Sequence, residues 1–200
     1  LNVGEHTLRA MQAVRPDKIL RLAMLFHDFG KPDCASADEN GTDHFHGHGA
    51  VSSKMAEEIL KRLRYDNDTI DRVRELVYWH DMEILPEKRA VRRAASKVGK
   101  ELFPLLLEVK QADLAAQSDY QRPQKEEWLR SLHDIYEQIQ EEGDCLSLKD
   151  LAVTGRDLIA AGMKPGPQLG QTLQNLLQLV LEDPSRNSKE YLLSNLPKET

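Results

Sequence analysis

An all-α fold, a helical bundle followed by a small helical extension, is predicted by three features of the sequence. Apolar residues recur three and four positions apart along almost the whole chain. No stretch sustains β-type alternation with β-branched residues, and cap and stop residues punctuate the periodic segments. The first helix is expected over Glu5 to Val14, with Leu8, Met11 and Val14 on one side. Asp17 is placed to cap a second, which runs through Ile19, Leu20, Ala23 and Phe26 to His27 and Asp28, where Gly30 and Pro32 stop it. Residues 31–49 are polar and irregular, long enough for a functional loop. A third helix is predicted from Ala50 to Arg64 with Val51, Met55, Ile59, Leu60 and Leu63 inward. Asp68 is the expected cap of a fourth, whose inward stripe is Ile70, Val73, Val77 and His80. Helices near 86–98, 101–118 and 124–141 follow.

Composition shifts near Glu141-Glu142-Gly143-Asp144. A Leu-rich piece (Leu146 to Val153), a short helix near Arg156 to Ala161 and a long helix through Leu169, Leu173, Leu176, Leu177 and Val180 come after it, ending at Asp183-Pro184. The expected division is therefore 1–142 and 143–200.

Of the 200 residues, 40% are hydrophobic and 30% charged, a globular balance rather than a disordered one. No apolar run approaches the length of a membrane span, and no signal segment opens the chain, so no membrane partner is expected. Two cysteines, Cys34 and Cys145, are too few for a disulfide framework; a cytoplasmic location is the expectation. The chain opens on Leu1, so a fragment or processed product is expected, with functional parts upstream.

The net charge is −6, from 27 Lys and Arg against 33 Asp and Glu. That argues against a chain whose main work is neutralising nucleic-acid phosphates. Locally the balance reverses: residues 84–100 hold six cations and one anion, Glu87. Arg89, Arg92, Arg93 and Lys97 share a face at helical spacing, which reads either as a solvated helix face or as a nucleic-acid-binding one.

Histidine placement carries the most chemical information. His27 and Asp28 end an apolar helix, His80 continues an inward stripe, and Asp113 continues the stripe of Leu102, Leu106 and Val109. An unpaired charge on such a face costs several kcal/mol. A metal cation removes that cost; so does a buried Arg or a set of hydrogen bonds. His6, His27, Asp28, His48, His80 and Asp113 come from successive elements, the way a helical bundle builds a metal site. Nitrogen and oxygen donors suit one or two divalent ions, Mn, Fe, Co, Ni or Zn, with Mg also admissible. His44 and His46 stand beside His48 as alternative ligands, outer-sphere groups or solvated side chains, and His133 is expected at the surface.

The order His6, His27-Asp28, Asp113 resembles the HD superfamily of metal-dependent phosphohydrolases. The strings that carry the likeness are Glu5-His6-Thr7-Leu8, Phe26-His27-Asp28-Phe29-Gly30-Lys31-Pro32 and Ala112-Asp113-Leu114-Ala115. Gly47-His48-Gly49 and Trp79-His80-Asp81 are similar to the added histidines of two-metal members. The resemblance implies that His6, His27, Asp28 and Asp113 hold a first metal. His48 and His80 would hold a second, with Asp28 bridging. The implied reaction is hydrolysis of a phosphomonoester or phosphodiester, with Asp28 and Lys31 as catalytic residues. Lys31 would meet a phosphate oxygen, although an ordinary cation at a helix C-terminus is the simpler reading.

After residue 143, Leu148 to Ile159, Gly162-Met163-Lys164-Pro165-Gly166-Pro167 and Leu181-Glu182-Asp183-Pro184 resemble the C-terminal part of bacterial CCA-adding tRNA nucleotidyltransferases. No Gly-Ser motif with a following Asp-x-Asp pair occurs, so nucleotidyl transfer by this chain alone is not expected. The likeness implies a phosphate-ester or nucleotide substrate, 2′-phosphates and cyclic 2′,3′-phosphates included, with tRNA as a candidate partner. A stand-alone nucleotide phosphohydrolase and a non-catalytic tRNA-binding module are the competing expectations.

Overall fold

The computed structural model describes residues 2–37, 43–118 and 120–197. Among them are ten α-helices: α1 (Val3–Ala13), α2 (Lys18–Phe26), α3 (His48–Arg62), α4 (Asn67–Trp79), α5 (Lys88–Val98), α6 (Phe103–Ala116), α7 (Arg122–Glu142), α8 (Gly155–Ala160), α9 (Pro167–Glu182) and α10 (Lys189–Ser194). The fold is all-α, as the periodicity predicts. Extended pairing among the described residues is confined to an antiparallel two-residue ladder, Ser36–Ala37 with Asp43–His44.

Polar caps fix the helix starts. The side chains of Asn2 and Asp17 accept hydrogen bonds from the backbone N–H groups of Glu5 and Leu20. Asp66, rather than the expected Asp68, caps α4 through the Thr69 N–H, because the helix opens two residues earlier, at Asn67. α3 likewise begins at His48 instead of Ala50, entered through Gly47 at φ 77°, a left-handed turn that glycine adopts freely. The short α10 lacks an apolar stripe long enough to be read from sequence; Ser188 starts it by accepting from Tyr191 N–H.

The chain packs as two compact units that interleave along the sequence, residues 1–83 with 101–133 and residues 84–100 with 134–200. In the first, α2 lies among α1, α4 and α6, while α3 packs on α4 and α1 on α6. Leu20, Met24, Leu60, Leu76, Phe103 and Leu106 are among its fully buried large side chains. Two expected core positions are not core. Leu8 is 63% exposed and Leu63 58% exposed. The inward face of α1 is instead Thr7 and Ala10, continued by Val14, small residues that let its backbone approach α6. Leu63 falls at the C-cap of α3, where the stripe has already ended.

One close approach depends on a missing side chain. Gly30 N–H donates to Ser52 Oγ at 2.8 Å. A Cβ on Gly30 would lie 2.7 Å from the His48 carbonyl oxygen and 2.8 Å from Ser52 N, both backbone atoms. Gly30→Ala is expected to destabilise the chain by about 1–3 kcal/mol, as overpacking does in cores. Urea denaturation of the variant checks it, and an unchanged midpoint would show that the two segments separate freely.

In the second unit, α9 packs on α5 and α8. Val91, Ala95, Leu146, Leu158, Leu176 and Val180 are buried there.

Candidate metal centre

Helix ends, rather than helix middles, bring the predicted ligands together in the first unit. His6 lies in the first turns of α1, His27 is the C-cap of α2 with Asp28 next to it, His48 opens α3, His80 is the C-cap of α4, and Asp113 lies in the last turn of α6. The last carbonyls of a helix have no intrahelical partner. Two imidazoles use them: His27 Nδ1 meets Met24 O at 2.7 Å and His80 Nδ1 meets Val77 O at 2.7 Å. His48 Nδ1 meets Phe45 O at 2.9 Å in the same three-residue step.

A carbonyl only accepts, so each of these Nδ1 atoms carries the proton and each Nε2 presents a lone pair. Those of His48 and His80 face one another, and that of His27 faces the His6 ring. His48 Nε2 lies 3.0 Å from His80 Nε2, and His6 Nε2 lies 3.2 Å from His27 Nε2. Such contacts repel without a proton or cation between them. Asp28 stands at the middle: its Oδ2 is 3.3 Å from His27 Nε2 and 3.7 Å from His6 Nε2. Its Oδ1 is 3.5 Å from His48 Nε2 and 3.8 Å from His80 Nε2, buried and without a hydrogen-bond donor. Asp113 Oδ1 completes the first group at 2.8 Å from His6 Nε2 and 3.6 Å from His27 Nε2. Among the described residues two triads have ligand atoms close enough for a shared ion, His6-His27-Asp28 and Asp28-His48-His80. The donor set, neutral imidazole nitrogen with carboxylate oxygen, fits a divalent transition metal.

The charges are set by this crowding. Burial opposes ionisation of Asp28, but the neighbouring His48, His27 and Lys31 side chains outweigh it and hold the carboxyl well below its usual range. Asp113 behaves alike: burial raises it, and His27 and His6 bring it down further. The hydrogen bond to Asp113 raises His6, and Asp28 raises His48. His80 moves the other way, because burial and the neighbouring His27 disfavour its cation.

Lys31 Nζ contacts Asp28 Oδ2 at 2.7 Å and lies 5.8 Å from the centre of the Phe45 ring. Both line a cleft of about 420 Å³ together with His6, Asp28, Asp113 and Gln117. Phe45 and Gln117 were not predicted. Gln117 had a readable signal, since it stands four residues after Asp113 on one helix face and its Nε2 donates to Asp113 Oδ2 at 2.8 Å. Lys110, also unpredicted, donates to the carbonyls of His80 at 2.8 Å and Met82 at 2.7 Å, and burial depresses it to about 8. His46 is exposed and His133 half-buried; the His44 side chain lies outside the described residues.

The predicted basic face is not formed as expected. Arg92 points inward within the second unit and is buried. Its Nε donates to Leu181 O at 2.9 Å, one terminal nitrogen to Asp144 Oδ2 at 3.1 Å and the other to Glu182 O at 3.3 Å. Arg89 and Arg93 both pair with the Glu182 carboxylate. Lys97 is exposed. Arg89, Arg92 and Arg93 are thus engaged by acids and by the carbonyls at the end of α9.

The fold and this site define an all-helical protein with a candidate two-part His/Asp metal centre. The chain belongs to the tRNA nucleotidyltransferase domain 2 family, which it matches over residues 48–196. It is 34% identical over 189 residues to a CC-adding tRNA nucleotidyltransferase of Thermus thermophilus, covering 91% of this chain and 42% of that protein. It is 28% identical over 190 residues to an A-adding tRNA nucleotidyltransferase of Deinococcus radiodurans, covering 89% of this chain and 42% of that protein. The chain therefore spans about two fifths of the length of these curated relatives. No solved structure matches it. Among the described residues no helix is long and apolar enough to cross a membrane.

Proposed function

We propose that the chain is an HD-type metal-dependent phosphohydrolase module of a tRNA nucleotidyltransferase-related protein. The observation that carries this reading is the pair of opposed Nε2–Nε2 contacts, at 3.0 and 3.2 Å, on either side of the buried Asp28 carboxylate. His6, His27 and Asp113 would hold one divalent ion, His48 and His80 another, and Asp28 would serve both. A bound ion of this kind lowers the pKa of water into the neutral range and screens phosphoryl oxygens. The protein's own contribution is positional. Carbonyls of Met24, Phe45 and Val77 hold three imidazoles in the tautomer that binds. Asp28 stays ionised despite burial, and Lys31, which lines the cleft, orients a phosphate oxygen.

The 2′-phosphates and cyclic 2′,3′-phosphates of nucleotides are the proposed substrates, and tRNA the proposed partner through residues 143–200. The names of the two relatives, a CC-adding and an A-adding tRNA nucleotidyltransferase, support a link to tRNA.

The test is hydrolysis of a panel of phosphate esters by chelator-stripped chain before and after adding Mn²⁺. Hydrolysis that appears only with the ion is the expected result; an inert, metal-loaded chain across the whole panel would overturn the reading. In the same assay Lys31→Met is expected to raise KM by about 10–100-fold, the worth of one charged hydrogen bond. An unchanged KM would return Lys31 to the role of a simple partner for Asp28.

A further inference from the structure

Past the ligands, a directional chain of hydrogen bonds leads from α7 to the centre. Lys125 Nζ donates to Gln117 Oε1 at 2.9 Å. Gln117 Nε2 donates to Asp113 Oδ2 at 2.8 Å. Asp113 Oδ1 then faces His6 and His27. A lysine ammonium has no acceptor, so it can only meet the oxygen of the amide, and this removes the usual freedom of a glutamine to be flipped. The nitrogen is left for Asp113. The backbone is pinned as well: Gln117 is the C-cap of α6, and its carbonyl accepts from an Arg122 terminal nitrogen at 2.8 Å. Both fastenings come from the first turn of α7.

We propose that Gln117 is a positioning residue of the metal centre: it occupies one oxygen of Asp113 so that the other is presented to the ion, and Lys125 sets the sense of the Gln117 amide. Asp113 needs such support more than Asp28 does. Its side chain is 24% exposed, against 2% for Asp28, so packing alone does not fix its rotation. Outer partners of ligating groups typically contribute about 10–100-fold in metal affinity.

The inference rests on the metal-centre reading, and the experiment separates the two. Mn²⁺ affinity is measured by isothermal titration calorimetry on the chelator-stripped 200-residue chain, for wild type, Asp113→Asn, Gln117→Leu, Lys125→Met and the Gln117→Leu/Lys125→Met double variant. Circular dichroism melting of each stripped variant accompanies it. The expected result is a loss of about 10-fold or more for Gln117→Leu, a smaller loss for Lys125→Met, and a double variant no worse than Gln117→Leu alone, because Lys125 acts through Gln117. A purely structural role would give additive losses that follow the melting temperatures, and that pattern overturns the proposal. Wild-type affinity in Gln117→Leu, with affinity lost in Asp113→Asn, overturns it while the centre stands. No Mn²⁺ binding by the wild type sinks the centre and this inference with it. Should Gln117→Leu fail to fold, Lys125→Met decides: unaltered affinity there ends the relay.

Discussion

Replacing His27 and Asp28 together by alanine is expected to abolish metal binding and phosphate-ester hydrolysis in one step. Asp28 is the group shared by both triads, and its two oxygens reach the four imidazoles of His6, His27, His48 and His80 at 3.3–3.8 Å. Taking it away removes the anion that offsets a dication in an interior where each isolated charge costs several kcal/mol. His27 is 1% exposed and its Nε2 borders Asp28 and Asp113. Removing an outer partner of a ligand costs about 10–100-fold in affinity, so removing two ligands should exceed that range. Elemental analysis after dialysis, beside the ester assay, reads both quantities. Asp28→Asn is the companion variant, keeping shape and volume while losing the charge. Retained hydrolysis in a metal-free double variant would show that the chemistry lies elsewhere.

The second large effect concerns stability. Arg92→Met is expected to cost about 3–5 kcal/mol, the usual penalty for breaking one half of a buried ion pair. Arg92 is 6% exposed and the Asp144 side chain 7%. The substitution leaves that carboxylate without its partner and strands the Leu181 and Glu182 carbonyls at the end of α9. Denaturant unfolding followed by circular dichroism measures the loss. A variant as stable as wild type, yet impaired in binding tRNA, would restore Arg92 to the contact face predicted from sequence.

That reversal shows where sequence pattern runs out. Helical spacing groups Arg89, Arg92, Arg93 and Lys97; it carried no information about the acids and carbonyls that draw Arg92 inward. Glu182 and Asp144 are 38 positions apart in sequence and come to the same arginine through tertiary packing. The candidate ligands were legible for the opposite reason. Polar residues at helix ends on apolar stripes, as at His27, Asp28 and His80, announce that something must compensate them. Gln117 was legible in principle from its four-residue offset to Asp113, whereas Phe45 gave no signal because nothing in an irregular loop predicts which way a ring turns. Leu8 was misplaced because periodicity ranks faces by hydrophobicity, while α1 buries its small residues to gain proximity, and Leu63 because α3 ends before it. The interleaved packing units were not legible either, since the basic composition of residues 84–100 does not say which helices they pack against.

Three imidazoles of the centre take their orientation from a carbonyl three positions earlier in their own segment. Each is thus a self-contained fitting of four residues, aimed before its neighbours arrive. Lengthening or shortening the connections between these fittings alters the route the backbone travels and leaves the aim unaltered. Variation among descendants of this architecture should therefore accumulate between the fittings, and transplanting one onto a foreign helix end should carry its direction along.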